Sequence, residues 1–113
     1  MYRIGVDIGG SKIAVGIVSE EMKLVSKKSQ PFPHTGNPQD SVQTIQSLIS
    51  GLLTENKLDI RDAACIGLAV PGSIDYDRGV VIDAHNLDYH DFPLCRLVGD
   101  LFPGCVVHVE NDA

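Results

Sequence analysis

The 113-residue chain has no apolar run near the roughly 20 residues that a membrane-spanning helix needs, so it carries no helical transmembrane segment. It has no basic cluster: nine Lys and Arg face fifteen Asp and Glu, for a net charge of −6. Such an acidic chain is poorly suited to DNA, RNA or an anionic membrane face. It has only three cysteines, Cys65, Cys95 and Cys105, without C-x-x-C spacing. That argues against a disulfide framework and a zinc finger, and fits a reducing, cytoplasmic setting with the thiols as small core residues. An export signal is also missing, because Asp7 falls where a signal peptide would have its apolar centre. There is no internal repeat, low-complexity tract or linker. What is present is 43% hydrophobic and 21% charged residues, a balance that opposes disorder. The length suits one domain with one core.

Tyr2, Ile4, Val6 and Ile8 recur with a period of two, which predicts a strand. Gly9-Gly10-Ser11 follows, and Ile13, Val15 and Ile17 then predict a second strand, antiparallel to the first. Lys23 to Gln30 supplies a third strand, ended by Pro31 and Pro33. Asn37-Pro38-Gln39-Asp40 reads as a helix start, with Asn37 as cap. Val42, Ile45, Leu48, Ile49, Leu52 and Leu53 then fall on one helical stripe. Cys65 to Val70 is a buried strand closed by Pro71-Gly72. Ser73-Ile74-Asp75 and Val80-Val81-Ile82 form a small hairpin with Gly79 at positive φ. Leu94, Leu97, Val98 and Leu101 mark a second helix, opened near Asp91 and stopped by Pro103-Gly104, and Val106 to Glu110 is a final strand. This order predicts an α/β domain with a mixed sheet.

Asp7-Ile8-Gly9-Gly10-Ser11-Lys12 is the first chemical signal. Glycines at a tight turn let backbone N–H groups approach an anion closely. Ser11 adds a hydroxyl, Lys12 a cation, and Asp7 a carboxylate able to hold a metal ion or its water. The pattern is neither G-x-x-x-x-G-K-[ST] nor G-x-G-x-x-G, and a strand rather than a helix follows it. Taken alone, a Gly-Gly pair is an ordinary hairpin turn.

Four segments in order give the pair more meaning. Val6-Asp7-Ile8-Gly9-Gly10-Ser11-Lys12-Ile13-Ala14-Val15-Gly16 resembles the first phosphate-binding segment of the ROK family (repressors, open reading frames and sugar kinases), within the actin-like ATPase superfamily. Gly67 to Asp75 resembles its proline-glycine sugar loop. Asn86 to Leu94 resembles its Asn-Leu segment, and Glu110-Asn111-Asp112-Ala113 resembles the start of its Glu-Asn-Asp-Ala-Asn motif. Ser11 stands where Thr is usual and keeps the hydroxyl.

The resemblance implies an actin-like ATPase (ribonuclease H-like) N-terminal lobe with a mixed sheet and flanking helices. It also implies ATP-dependent phosphorylation of a hexose, glucose first, at its 6-hydroxyl. Asp112 would then be the general base. Asp7, Gly9, Gly10, Ser11 and Lys12 would hold the phosphates of ATP, with Asp7 binding magnesium directly or through water. Gly72, Ser73, Asn86, Asn111 and Asp112 would meet the sugar, since Gly72 admits close backbone approach and Asn86 offers a donor and an acceptor to a diol. Homodimers are common in the family. His85, Asp88, His90 and Asp91 read as a solvated loop rather than a metal cluster, and His108 as a packed or edge histidine.

Family members have two lobes with ATP between them, so residues 1–113 are expected to be the first lobe, incompetent as a kinase alone. The adenosine-binding segments and the cysteines of the family's structural zinc site belong to the second lobe. A sugar-responsive repressor of the same family would carry a helix-turn-helix before the phosphate turn. With the turn beginning at Asp7 no such segment is expected, and the acidic charge opposes it. A non-catalytic actin-like nucleotide-binding module is the third reading, which the Asn111-Asp112 pair and the sugar-type loop oppose.

Overall fold

The computed structural model describes residues 1–111; Asp112 and Ala113 lie outside the described residues. The predicted hairpin is present as β1 (Tyr2–Ile8) and β2 (Lys12–Val18), paired antiparallel from Arg3↔Val18 to Ile8↔Ile13. β3 (Leu24–Pro31) runs back along β2, with Lys12 opposite Pro31. α1 (Gln39–Glu55) follows. The cap position falls on Pro38 rather than Asn37, but the Asn37 side-chain oxygen still accepts from the Gln39 N–H at 3.1 Å at the start of the helix. All six stripe residues of α1 are buried.

β4 (Ala63–Val70) lies parallel to β1, and β8 (Val107–Asn111) parallel to β4, giving one five-stranded mixed sheet in the order β3-β2-β1-β4-β8. The hairpin β5 (Ser73–Asp75) and β6 (Val80–Ala84) forms as expected, with Gly79 at φ +66°. One element differs from expectation. The 85–91 stretch read as a loop runs into β7 (Tyr89–Phe92), which pairs with β6 through Val81↔Phe92 and Asp83↔His90 and completes a second, three-stranded sheet. α2 (Leu94–Leu101) therefore starts at Leu94 rather than near Asp91, after Pro93.

The alternation in β1, β2 and β4 sends Ile4, Val6, Ile8, Ile13, Val15, Ile17, Ile66, Leu68 and Val70 to one face, where they join the α1 stripe and Leu94 and Val98 of α2 in a single core. The other face carries Gly5, Asp7, Ala14, Gly16, Gly67 and Ala69, and no described element covers it. The three cysteines depart from the expected core role, for all are only half-buried. Cys95 and Cys105 pack at the core margin, and burial pushes both thiols upward; Cys65 faces the uncovered side of β4. His108 lies exposed on β8, its Nε2 close above Gly67. No helix among the described residues is long and apolar enough to cross a membrane.

Candidate functional site

Parallel pairing fixes where the site forms. Asp7 lies opposite Ala69, and Ala69 opposite Glu110, so β1, β4 and β8 end level. The glycine turn and the Pro71-Gly72 loop leave the first two of those ends, and Asn111 closes the third. The carboxyl edge of an open α/β sheet is where such loops gather around ligands.

The turn is tight. Gly9 N–H donates to the Lys12 carbonyl at 3.0 Å, and Phe32 N–H donates to the Ser11 carbonyl at 3.0 Å. Ser11 and Lys12 are exposed, and Asp7 sits on the uncovered sheet face. There it lines a depression of about 410 Å³ with Gly5, Gly16, Lys27, Gly67 and Glu110. Among the described residues neither Asp7 nor Lys12 is in an ion pair, and no group of three or more His, Cys, Asp or Glu is placed to hold a metal. One carboxylate suits magnesium all the same, because that ion keeps its waters and takes the rest of its ligands from phosphates.

The sugar-type loops stand beside this turn. Asn86 belongs to a short 3₁₀ turn, His85–Leu87, and a Cβ built on Gly10 would meet the Asn86 Cβ at 3.3 Å. Gly72 has φ +97°, and a Cβ there would lie 2.1 Å from the Asp83 carbonyl oxygen, so only glycine fits. Gly72, Ser73, Asp83, His85 and Asn86 line a second cleft of about 260 Å³. Asn111 Nδ2 donates to the Gly72 carbonyl at 2.8 Å, joining the end of β8 to this loop. The structure thus brings Gly10 to Asn86, and Asn111 to Gly72. It places Asp7 in the neighbouring depression rather than in the loop cleft. Asp112, the expected base, lies outside the described residues.

Two supporting residues carry no linear signature. Tyr89 is fully buried, stacked on Phe92 at 4.4 Å, with its hydroxyl 2.6 Å from Ser41 Oγ. Burial pushes its hydroxyl to about 12, against a smaller lowering by the Ser41 bond. His34 Nε2 lies 2.6 Å from the Gly10 carbonyl oxygen. The hairpin register, which returns residue 31 to residue 12, was the signal that could have found His34. Of the polar loop residues, His90 pairs with Asp83 at 2.9 Å, and Asp88 and Asp91 hold positive φ.

The ROK family model matches residues 3–113. The chain belongs to the ROK family. It is 36% identical over 110 residues to a glucokinase of Streptomyces coelicolor, covering 97% of this chain and 32% of that protein. The ROK hexokinase of Thermus thermophilus superposes with a TM-score of 0.85 at 32% identity, covering all of this chain and 36% of that one. The ROK family glucokinase of Streptomyces griseus, solved with glucose and AMPPNP, gives 0.85 at 34% identity, covering all of this chain and 34% of that one. The ROK chain therefore has the actin-like ATPase (ribonuclease H-like) fold, a mixed sheet with flanking helices. A ROK family transcriptional regulator, a homologue of the E. coli MLC protein, matches at 0.83 and 15% identity, a likeness of fold alone. The chain spans about a third of the length of the curated relatives it matches.

Proposed function

We propose that the protein carrying this chain is an ATP-dependent hexose kinase, with residues 1–113 as its N-terminal lobe and a second lobe closing the cleft. The reaction moves the γ-phosphoryl group to the 6-hydroxyl of a hexose, glucose first. The observation that supports this reading is the closeness of the phosphate-type turn to the sugar-type loop, such that a Cβ added at Gly10 would lie 3.3 Å from the Asn86 Cβ. Donor and acceptor in phosphoryl transfer must be held in line and close together, and catalysis is mostly positioning and charge neutralisation.

In this reading Gly9, Gly10 and Ser11 bind the phosphates through backbone N–H groups and the Ser11 hydroxyl, while Lys12 adds positive charge. Magnesium, when bound, neutralises the phosphoryl oxygens, and Asp7 would hold it directly or through a water. Asn86, Ser73 and Asn111 orient the sugar through hydrogen bonds, and the Gly72 backbone packs against it. Asp112 takes the proton of the 6-hydroxyl. The free thiols, which fit a reducing compartment, support a cytoplasmic enzyme, and we place it there.

The test is the full-length protein with ATP, magnesium and a panel of glucose, N-acetylmannosamine, fructose and allose. Asp112→Asn is expected to lower kcat by roughly 10³-fold with the KM for sugar little changed, the scale of a lost general base. A panel in which no sugar is phosphorylated, or an Asp112→Asn protein as active as the parent, ends the proposal.

A further inference from the structure

The glycine turn is braced from behind by the segment that leaves β3. Phe32 N–H holds the Ser11 carbonyl at 3.0 Å, and His34 Nε2 reaches the neighbouring Gly10 carbonyl at 2.6 Å. A carbonyl oxygen only accepts, so Nε2 carries the proton and donates. The imidazole is exposed but does not hang free. It rests tilted on Phe32, with ring centroids 4.9 Å apart, and Phe32 is itself buried 6.4 Å from Tyr89.

A trans peptide points its C=O and its N–H in opposite directions. Holding the Gly10 carbonyl toward His34 therefore turns the Ser11 N–H the other way. Among the described residues that N–H meets no acceptor. Gly10, without a Cβ, resists rotation of this peptide less than any other residue would. A donor on its carbonyl selects one of the available orientations.

We propose that His34 is a positioning residue of the phosphate turn: its Nε2–H fixes the Gly10–Ser11 peptide so that the Ser11 N–H faces the anion. The assignment rests on the reading of this turn as the site for the phosphates of ATP.

The experiment uses the full-length protein and two variants. His34→Phe keeps a ring on Phe32 but has no donor. His34→Gln places an amide N–H at a similar reach. Losing one neutral hydrogen bond of about 1 kcal/mol corresponds to a five- to tenfold change. His34→Phe is expected to raise the KM for ATP, and the Kd for AMPPNP with magnesium by calorimetry, about five- to tenfold. The KM for hexose should stay within about twofold and the thermal midpoint should not move; His34→Gln should restore the nucleotide values to within about twofold of the parent. If hexose is phosphorylated but His34→Phe binds and uses nucleotide like the parent, the role of His34 is overturned and the kinase reading stands. If no hexose is phosphorylated while His34→Phe still weakens AMPPNP five- to tenfold, the kinase reading falls and the role of His34 stands. Equal losses in both KM values and in the thermal midpoint, without rescue by His34→Gln, mean a merely structural residue and also overturn the proposal.

Discussion

The two faces of the five-stranded sheet are built from the same strands and have almost nothing else in common. On the helix-covered face, Ile8, Ile13, Ile66, Leu68 and Val70 are fully buried. On the opposite face the alternate positions are Gly5, Gly16, Gly67, Ala14 and Ala69, with Asp7, Lys27 and Glu110 at the margins of the depression. Large β-branched and leucine side chains supply the stability of the first face. The second face gives up that contribution and keeps the backbone accessible beside Asp7. The chain thus separates the residues that hold it together from those that leave room, one residue apart along each strand.

Adjacent residues give the sharpest way to break this contrast. Ile66→Ala removes a fully buried side chain from β4 and is expected to destabilise by about 4 kcal/mol, whereas Gly67→Ala is expected to cost below about 1 kcal/mol. The added Cβ would meet only the His108 ring at 3.1 Å, and that exposed ring can move. Denaturant unfolding of the two variants decides it, and similar midpoints would abolish the distinction between the faces.

The covered face also has a pH signature. Burial holds the Tyr89 hydroxyl near 12 rather than the ordinary 10. Burial, followed by the charges of Asp62 and Asp59, does the same to Tyr2. The folded chain thus keeps protons that the unfolded chain releases. The stabilisation is complete below pH 10 and is lost as the pH rises to 12, about 2 kcal/mol for Tyr89. Unfolding measured from pH 8 to 12 should show that fall, and Tyr89→Phe should flatten it, leaving the part due to Tyr2.

The smallest effect belongs to the uncovered face. A Cβ on Gly5 meets nothing within 4 Å. Gly5→Ala should leave the unfolding midpoint unchanged or raise stability by up to about 0.5 kcal/mol, since glycine weakens a strand interior. A loss above 1 kcal/mol would show that Gly5 is packed after all.

The first hairpin, α1 and β4 were legible because each is long and its period is unbroken. The ROK motifs were legible because four short patterns kept their order. β7 was not. It has four residues, Tyr89 to Phe92, whose two central side chains, His90 and Asp91, are polar and exposed, and Asp91 takes φ +48° within the strand. What makes it a strand is pairing with β6, a tertiary fact with no local trace. His34 was missed for a related reason. It lies 24 residues from Gly10, and only the β2–β3 register brings the two together. The cysteines looked like core residues by type, but Cys65 falls on the strand phase that faces away from the helices.

The close fit of Gly10 against Asn86, where an added Cβ would come within 3.3 Å of the Asn86 Cβ, has a consequence for how such a protein can change over time. Any residue other than glycine at position 10 would press on the Asn86 side chain, so that side chain would have to give by a few tenths of an ångström, and under the proposed kinase function the segments for nucleotide and sugar would share that boundary. If that proposal holds, a substitution near Asn86 that retunes the choice of sugar should need a compensating change near Gly10, and the two segments should drift as a pair.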